Sequence, residues 1–274
     1  MRLLFIGDIV GRAGREILLE RLPQLRRDWK LDFVVVNGEN AAGGFGITEA
    51  ICGEILDAGA DCVTLGNHAW DQKEALVFIE REPRLIRPLN YPVGTPGRGA
   101  NMFEAKNGAR VLVMNALGRV FMADMDCPFN AVDAEVDACP LGQGADVILI
   151  DFHAETTSEK QAFGHYFDAR ASVIVATHTH APTADERVLP SGTAYMSDAG
   201  MCGDYESVLG MQADEPINRF RTRIPRQRFE PSDGPATVSG LAVEIDDRTG
   251  LATRVKAVRL GGVLQPSEPE FWLG

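Results

Sequence analysis

Polar clusters follow five apolar runs of this 274-residue sequence, and their side chains are of types that bind metals or move protons. The clusters are Gly7–Asp8, Asn37-Gly38-Glu39-Asn40, Gly66-Asn67-His68, Asp151-Phe152-His153 and His178-Thr179-His180. They hold four of the chain's five histidines. Carboxylates, carboxamides and imidazoles without a thiolate form a hard-to-borderline donor set, which suits manganese, iron or zinc rather than calcium or a zinc finger.

The donors are too numerous for a single metal ion. Seven of these groups would serve two ions well if the ions lay about 3.5–4 Å apart and shared one carboxylate. Glu39 is the best candidate for the shared ligand, because it is one of only two carboxylates in the core set with Asp8. His178 and His180 lie two residues apart on a predicted extended segment, so they can project the same way and serve different ions.

The elements that must position these clusters alternate along the first third of the chain. Apolar runs predict strands, and spacing and capping residues predict helices: strands at 2–8, 32–39 and 61–68, and helices at 12–29, 48–60 (capped by Thr48) and 71–82 (beginning at Asp71). Such alternation is typical of a parallel sheet covered on both faces. Because the carboxyl ends of parallel strands lie at one edge, the clusters should converge in one crevice there.

The rest of the chain continues this pattern less regularly. We predict strands at 101–106, 110–118, 146–154 and 172–180, a helix at 157–170, and a hairpin over 237–260 that turns around 247–250. The segment with Asp124, Asp126, Asp133 and Asp137 has no visible apolar period and is predicted to be a solvated loop. We expect one domain over residues 1–274, with a β-rich second half packed on or beside the parallel part.

The ordered set of clusters resembles the calcineurin-like metallophosphoesterases. The blocks 7-GD-8, 38-GEN-40, 66-GNH-68, 152-FHAE-155 and 178-HTH-180 follow that superfamily's order, and 6-IGDIVGRAGR-15 and 35-VVNGENAAGGFGIT-48 look like its bacterial YmdB-type branch. Two positions depart from the larger family: Val10 stands where many members have a histidine, and Glu39 where they have an aspartate. The resemblance implies an α/β fold, a layered β-sheet sandwich flanked by helices.

The resemblance also implies a role for each site residue. The first ion would take Asp8, Glu39, Asn40 and His180, with Asn40 replacing the missing imidazole, and the second would take Glu39, Asn67, His153 and His178. Two ions per chain are expected, iron first, with manganese and zinc as alternatives. His68 would bind neither ion and would act as general acid, while a metal-bridging hydroxide attacks a phosphodiester, in the first place a 2′,3′-cyclic nucleotide.

Two rival functions stay open on the sequence. One is a non-specific phosphomonoesterase or protein phosphatase on the same site, because a fold does not decide function. The other is a regulatory interaction protein with a weakly active metal site, against which the extra imidazole of His68 argues. Tyr195, Tyr205 and Phe121 are weighed as residues that stack on a base, and packing roles are favoured.

The composition of the chain limits the classes of partner and the cellular location that we expect. A net charge of −12 argues against non-specific DNA or RNA binding. No apolar stretch is long enough for a membrane span, and the N-terminus is predicted to be a strand rather than a signal peptide, so a cytoplasmic location is expected. Five scattered cysteines predict reduced thiols. The basic stretch 218-NRFRTRIPRQRFEP-231 would be a loop near a small-molecule phosphodiester substrate or a subunit contact, and the choice between monomer and homo-oligomer stays open.

Overall fold

The computed structural model describes residues 1–273. Its helices are α1 Gly11–Asp28, α2 Glu49–Asp57, α3 Ala75–Phe78, α4 Pro128–Ala138, α5 Thr157–Tyr166 and α6 Asp214–Thr222, with a 3₁₀ turn at Glu270–Trp272. Its strands are β1 Arg2–Ile6, β2 Asp8–Ile9, β3 Phe33–Asn37, β4 Cys62–Thr64, β5 Leu85–Ile86, β6 Ala100–Glu104, β7 Arg110–Leu117, β8 Val147–His153, β9 Val173–Thr177, β10 Arg187–Val188, β11 Ala194–Met196, β12 Met201–Asp204, β13 Ala236–Ile245 and β14 Ala252–Gly261.

The strands form two sheets. The first has the order β2-β12-β13-β1-β3-β4-β5, with β14 paired to β13, and its strands β1, β3, β4 and β5 are parallel. The second has the order β10-β11-β9-β8-β7-β6, and β7, β8, β9 and β11 are parallel. Each sheet therefore has a set of parallel strands whose carboxyl ends share one edge.

Alternate side chains of each strand divide between two cores, as the two-residue period of a strand requires. From β1, Leu3 and Phe5 enter a core shared by the two sheets, whereas Leu4 and Ile6 enter a core beneath α1 and α2. A third core lies between the second sheet and the helices α4 and α5. The layers are thus helix, sheet, sheet and helix, which confirms the predicted α/β sandwich flanked by helices.

Local predictions are confirmed where the capping and turn signals were strong. Thr48 is the N-cap of α2, and its hydroxyl accepts a hydrogen bond from Ile51 N at 3.2 Å. The predicted terminal hairpin is β13–β14, which are joined through a turn that contains Asp247 and Gly250. No helix within residues 1–273 is both long and apolar enough to cross a membrane.

The predicted helix over 71–82 is wrong in length, because only Ala75–Phe78 is α-helical. The expected first residue of the helix, Asp71, has another partner: its Oδ2 lies 2.8 Å from Nδ1 of His68. Gln72 likewise donates its amide to Phe45 O at 2.8 Å instead of supporting a first helical turn. The side chains at the start of this segment therefore bond to His68 and Phe45 near the sheet edge, and the segment forms only a short helix.

The predicted solvated loop around Asp124–Asp137 is also wrong in part, because α4 covers residues 128–138. Pro128 stands in its first turn, and Pro128, Val132 and Val136 are buried at a spacing of four residues. Such a narrow apolar stripe between acidic residues is easily missed in the sequence. Asp133 and Asp137 both accept hydrogen bonds from the guanidinium of Arg170, at 2.6 and 2.9 Å.

Candidate metal centre

The two sheets supply different chemistry to one buried centre at the carboxyl ends of their strands. The first sheet contributes oxygen donors, namely Asp8 after β1, Glu39 and Asn40 after β3, and Asn67 after β4. The second sheet contributes imidazoles, namely His153 at the end of β8, and His178 and His180 after β9. Every one of these predicted ligands is buried or half-buried. The structure thus brings together all seven residues that the sequence singled out.

One group of donors consists of Asp8, Glu39 and His180, whose ligand atoms all lie within 4.8 Å of one another. Asn40 joins them, because its Oδ1 lies 3.3 Å from His180 Nε2. The other nitrogen of His180, Nδ1, lies 2.9 Å from Leu209 O, to which it donates, and Asn40 Nδ2 donates to Gly44 O. These outer bonds leave Nε2 of His180 and Oδ1 of Asn40 facing each other as two acceptors.

The second group consists of Glu39, His153 and His178, again within 4.8 Å, so Glu39 is common to both groups. Nε2 of His153 lies 2.9 Å from Asn67 Oδ1, 3.0 Å from His178 Nδ1 and 3.1 Å from Glu39 Oε1. A single N–H can serve only one of these three acceptors well. Lone pairs that converge in this way are the arrangement expected around a cation.

Three further observations show that these residues fit a metal centre. Asp8 Oδ1 is buried without a hydrogen-bond partner among the described residues, whereas its Oδ2 accepts from His178 N at 3.2 Å. Gly66 leaves the space that the donors need, because a Cβ there would lie 2.2 Å from Glu39 Oε2 and 2.5 Å from His153 Nε2. The donors are nitrogen and oxygen only, which suits iron, manganese or zinc.

The pKa values at the centre reflect the close packing of buried carboxylates and imidazoles. Burial would lower the pKa of His153, but the carboxylates of Glu39 and Asp8 outweigh it and raise that pKa to about 9. Burial also opposes the charge on Glu39, yet His153 and His68 hold its pKa at about 2. Burial and the charge of His153 lower the pKa of His178 to about 3, so this imidazole is neutral, as a metal ligand must be.

A hydrogen-bond chain that sequence reasoning did not include orients His153. Thr177 Oγ1 donates to Asp151 Oδ1 at 2.7 Å, so this hydroxyl oxygen is free to accept from His153 Nδ1 at 2.8 Å. Asp151 Oδ2 accepts from Thr64 Oγ1 and Asn37 Nδ2 at 2.6 and 2.9 Å. With the proton fixed on Nδ1, Nε2 is left as the ligand atom. A signal existed, because Asp151 and His153 lie two apart on one strand face.

The segment that carries His178 and His180 is a strained turn, and the prediction of an extended segment there is wrong. Both histidines have positive φ, 98° and 62°. A carboxylate holds the turn: Asp198 Oδ2 accepts from Thr179 N and Oγ1 at 3.0 and 2.7 Å, and from Lys160 Nζ at 2.8 Å. The Lys160–Asp198 pair is fully buried. The turn, rather than strand alternation, sends the two imidazoles to different donor groups.

His68 lies at the mouth of the centre and belongs to neither donor group. Its side chain is 29% exposed, and Asp71 Oδ2 lies 2.8 Å from its Nδ1. Its backbone N–H donates to Glu39 Oε2 at 3.2 Å, and its ring meets that of Phe45 edge-on, with centroids 5.1 Å apart. His68 is therefore held beside the shared carboxylate, with its ring in the cleft wall.

The cleft over the centre combines the polar donors with apolar side chains. A cavity of about 260 Å³ is lined by Glu39 and three histidines (His68, His178, His180). Its lining also includes Phe45, Met211, Phe220 and Phe229. The stacking candidates weighed from the sequence do not line it: Tyr195 and Tyr205 are largely buried, and Phe121 is exposed elsewhere.

Comparison with known proteins places the chain among related sequences over nearly its full length. The family model described as YmdB-like protein matches residues 4–258. A 2′,3′-cyclic-nucleotide 2′-phosphodiesterase of Bacillus subtilis (strain 168) is 46% identical over 258 residues, which are 94% of this chain and 96% of that protein.

Two crystal structures share the fold. One, of a hypothetical protein from Thermus thermophilus, has 40% identity and a TM-score of 0.89 over 96% of this chain and 100% of that one. The other, of a novel phosphatase from Mycoplasma pneumoniae, has 34% identity and a TM-score of 0.88 over 100% of this chain and 96% of that one.

Proposed function

The chain belongs to the YmdB-like protein family and is a hydrolase, and from this premise we propose that it hydrolyses phosphodiesters, first of all 2′,3′-cyclic nucleotides. The observation that carries the proposal is the pair of nitrogen and oxygen donor groups that share Glu39 beneath an apolar cleft. The choice of substrate is supported by the Bacillus subtilis relative, which is named a 2′,3′-cyclic-nucleotide 2′-phosphodiesterase.

Two metal ions would occupy the centre, one held by Asp8, Glu39, Asn40 and His180 and the other by Glu39, Asn67, His153 and His178. Iron is our first choice, with manganese and zinc as alternatives, because the donor set accepts all three. When bound, the ions would supply Lewis acidity and a nucleophile near neutral pH. The protein's own part is to hold the donors fixed, which the bonds to Thr177, Leu209 and Asp198 accomplish.

His68 is the group proposed to protonate the leaving oxygen. Its imidazole lines the cleft and is partly open to solvent, so it can donate a proton and recover it from water. The Asp71 carboxylate at Nδ1 fixes the ring so that Nε2 is the nitrogen that acts. In a 2′,3′-cyclic substrate the leaving oxygen stays on the ribose, and its protonation completes the opening of the ring.

The apolar wall favours a nucleotide over a simple phosphate ester. Phe45, Phe220 and Phe229 offer aromatic surface in the same cavity as the histidines, where a base attached to the reacting ribose would lie. A phosphomonoesterase or protein phosphatase would use the same donors. The similar structure from Mycoplasma pneumoniae is described as a phosphatase, which supports that alternative. We place the reaction in the cytoplasm, where the five free cysteines would stay reduced.

The test pairs metal analysis with a small substrate panel. We expect about two ions per chain and a higher kcat/KM for 2′,3′-cAMP than for 3′,5′-cAMP or an aryl phosphomonoester. Faster turnover of the phosphomonoester would favour a phosphatase, and absence of metal and of activity after addition of manganese or iron would reject the proposal.

Two substitutions separate the roles at the centre. His68→Ala should lower kcat by about 10²–10⁴-fold while both ions stay bound. Glu39→Gln should lose metal and activity together, because Glu39 serves both donor groups. If the His68→Ala protein keeps its full cellular function, the regulatory interaction role gains the support instead.

A further inference from the structure

An arginine-rich segment stands beside the cleft in a protein that is otherwise acidic. The chain has a net charge of −12, yet residues 219–228 carry five arginines and no carboxylate. These are Arg219, Arg221, Arg223, Arg226 and Arg228, at the end of α6 and in the loop that follows. The last four are exposed, and none of them joins an ion pair among residues 1–273.

Part of the segment borders a cavity next to the cleft. A second cavity, of about 430 Å³, is lined by Gly43, Phe45, Arg219, Arg228 and Phe229. Phe45 and Phe229 also line the cavity over the metal centre, so the two cavities meet at these rings. Arg219 and Arg228 therefore lie next to the two rings that also border the metal centre, while Arg221 and Arg226 line a neighbouring cavity.

The arginines are presented on a fixed frame rather than on a loose loop. Glu215 Oε1, on a buried side chain, accepts from Arg219 Nε at 2.6 Å and from Arg226 N at 3.0 Å. Asn218 Nδ2 donates to Ile224 O at 2.7 Å across the end of α6. The guanidinium of Arg219 lies over the ring of Phe229, 4.0 Å from its centroid.

The inner cavity has room for little more than one nucleotide, since about 260 Å³ is small for a ligand pocket. Phe220 stands at its lip with 77% of its surface exposed, where it offers a face to a neighbouring base. The single phosphate of a mononucleotide would bind at the metal centre. The arginines would then have no phosphate to bind. Guanidinium groups beside aromatic rings are instead typical of sites for single-stranded nucleic acid.

We propose that the substrates are short RNA fragments that end in a 2′,3′-cyclic phosphate. This inference rests on the proposed function. The terminal nucleotide occupies the inner cavity, and the phosphates on its 5′ side lie along the arginines. Water adds to the cyclic phosphorus, one P–O bond to the ribose breaks, and the released ribose oxygen takes a proton, which leaves a phosphomonoester end.

The 2′,3′-cyclic phosphate of this substrate also indicates which class of reaction produces it. In RNA cleavage by internal transesterification, a ribose 2′-oxygen attacks the adjacent phosphorus and the 5′-oxygen of the next nucleotide leaves with a proton. That step produces the 2′,3′-cyclic end and needs no other reactant. The protein therefore acts after a cleavage of this class and opens the ring that the cleavage leaves.

The experiment compares kcat/KM for a tetraadenylate that ends in a 2′,3′-cyclic phosphate with kcat/KM for 2′,3′-cAMP. We expect the tetranucleotide to be favoured at least about ten-fold at low salt. The triple variant Arg223→Gln/Arg226→Gln/Arg228→Gln should bring that ratio close to one. The matched control Arg21→Gln/Lys106→Gln/Arg248→Gln removes the same charge at exposed positions elsewhere and should leave the ratio unchanged.

A second measurement does not depend on turnover. A 5′-fluorescein-labelled tetraadenylate with a 3′-phosphate is titrated with metal-free protein, and binding is followed by fluorescence anisotropy. The wild-type protein should bind about ten-fold more tightly than the arginine variant. The slope of log K against log salt should fall by about 0.7 for each phosphate contact that is lost.

The outcomes separate this inference from the proposed function. Hydrolysis of neither substrate by the metal-loaded protein would reject the proposed function, and this inference with it. Hydrolysis of 2′,3′-cAMP with no preference for the tetranucleotide, in wild type and variant alike, would overturn the inference alone. A change in oligomeric mass of the arginine variant by sedimentation, with the substrate ratio unchanged, would make the segment a contact with a second copy and would equally overturn it.

Discussion

Replacement of Gly66 by alanine should disable the metal centre without unfolding the protein. The added Cβ would lie 2.2 Å from Glu39 Oε2 and 2.5 Å from His153 Nε2, where real contacts need at least about 3 Å. To reach an ordinary contact of 3.4 Å, Glu39 Oε2 would have to move by about 1.2 Å and His153 Nε2 by about 0.9 Å. Glu39 cannot turn away freely, because it is buried and its two oxygens contact His68 N and His153 Nε2.

The size of the effect follows from that displacement. A misplacement of about 1 Å in a catalytic site costs on the order of 10²-fold in rate, or about 2.7 kcal/mol of transition-state stabilisation. We therefore expect kcat/KM for 2′,3′-cAMP to fall about 10²-fold and metal content to fall below one ion per chain. Elemental analysis of the purified variant and initial rates at saturating manganese measure the two effects.

Gly53→Ala is the matched control, because it makes the same chemical change where a Cβ has open space. Gly53 lies inside α2, and nothing lies within 4 Å of its ideal Cβ. Alanine there should raise the unfolding free energy by about 1 kcal/mol, a rise in Tm of about 2–4 °C, with activity unchanged. If Gly66→Ala keeps its full metal content and loses less than about three-fold in kcat/KM, the convergence of Glu39 and His153 described above is wrong.

Three other predictions test the groups around the centre. Lys160→Met leaves the buried carboxylate of Asp198 without its cation, so urea denaturation should show a loss of about 3–5 kcal/mol; a loss below about 1 kcal/mol would contradict the pairing. Thr177→Val removes the acceptor that fixes the proton on His153 Nδ1, and metal titration should show a 10–100-fold weaker affinity; unchanged affinity would refute that orienting role. Addition of manganese at about 100 times its Kd should raise the unfolding free energy by about 2.7 kcal/mol over chelated protein, and a Tm that does not respond to metal would mean that no ion binds the native state.

The convergence of the polar clusters could be predicted from sequence because parallel strands place their carboxyl ends together whatever the rest of the fold does. That rule needs only the ends of the apolar runs, and it brought Asp8, Glu39 and His153 into one expected crevice. The rule says nothing of how the two sheets pack, yet the centre depends on that packing. The turn at His178 and His180 shows the limit, because its positive φ values follow from Asp198, a residue that is 18 positions further along the chain.

The residues that support the centre were harder to predict. Asp151 was visible at a strand end, but its role depends on hydroxyls from Thr64 and Thr177 on other strands. The aromatic lining was indicated only in part: the stretch 218–231, which contains Phe220 and Phe229, was predicted to be a loop near the substrate or a subunit contact. Phe45 and Phe229 come from segments about 180 residues apart, and neither lies in a periodic element that would indicate a shared cavity.

The division of donor types between the sheets has a mechanical consequence. Oxygen donors come from one sheet and imidazoles from the other, so neither sheet alone holds a full set for either donor group. An ion at the centre would therefore tie one sheet to the other, much as a cross-link does. Amide hydrogen exchange in β3 and β8 should therefore slow together as metal is titrated. Metal affinity would then measure how strongly the two sheets are held together.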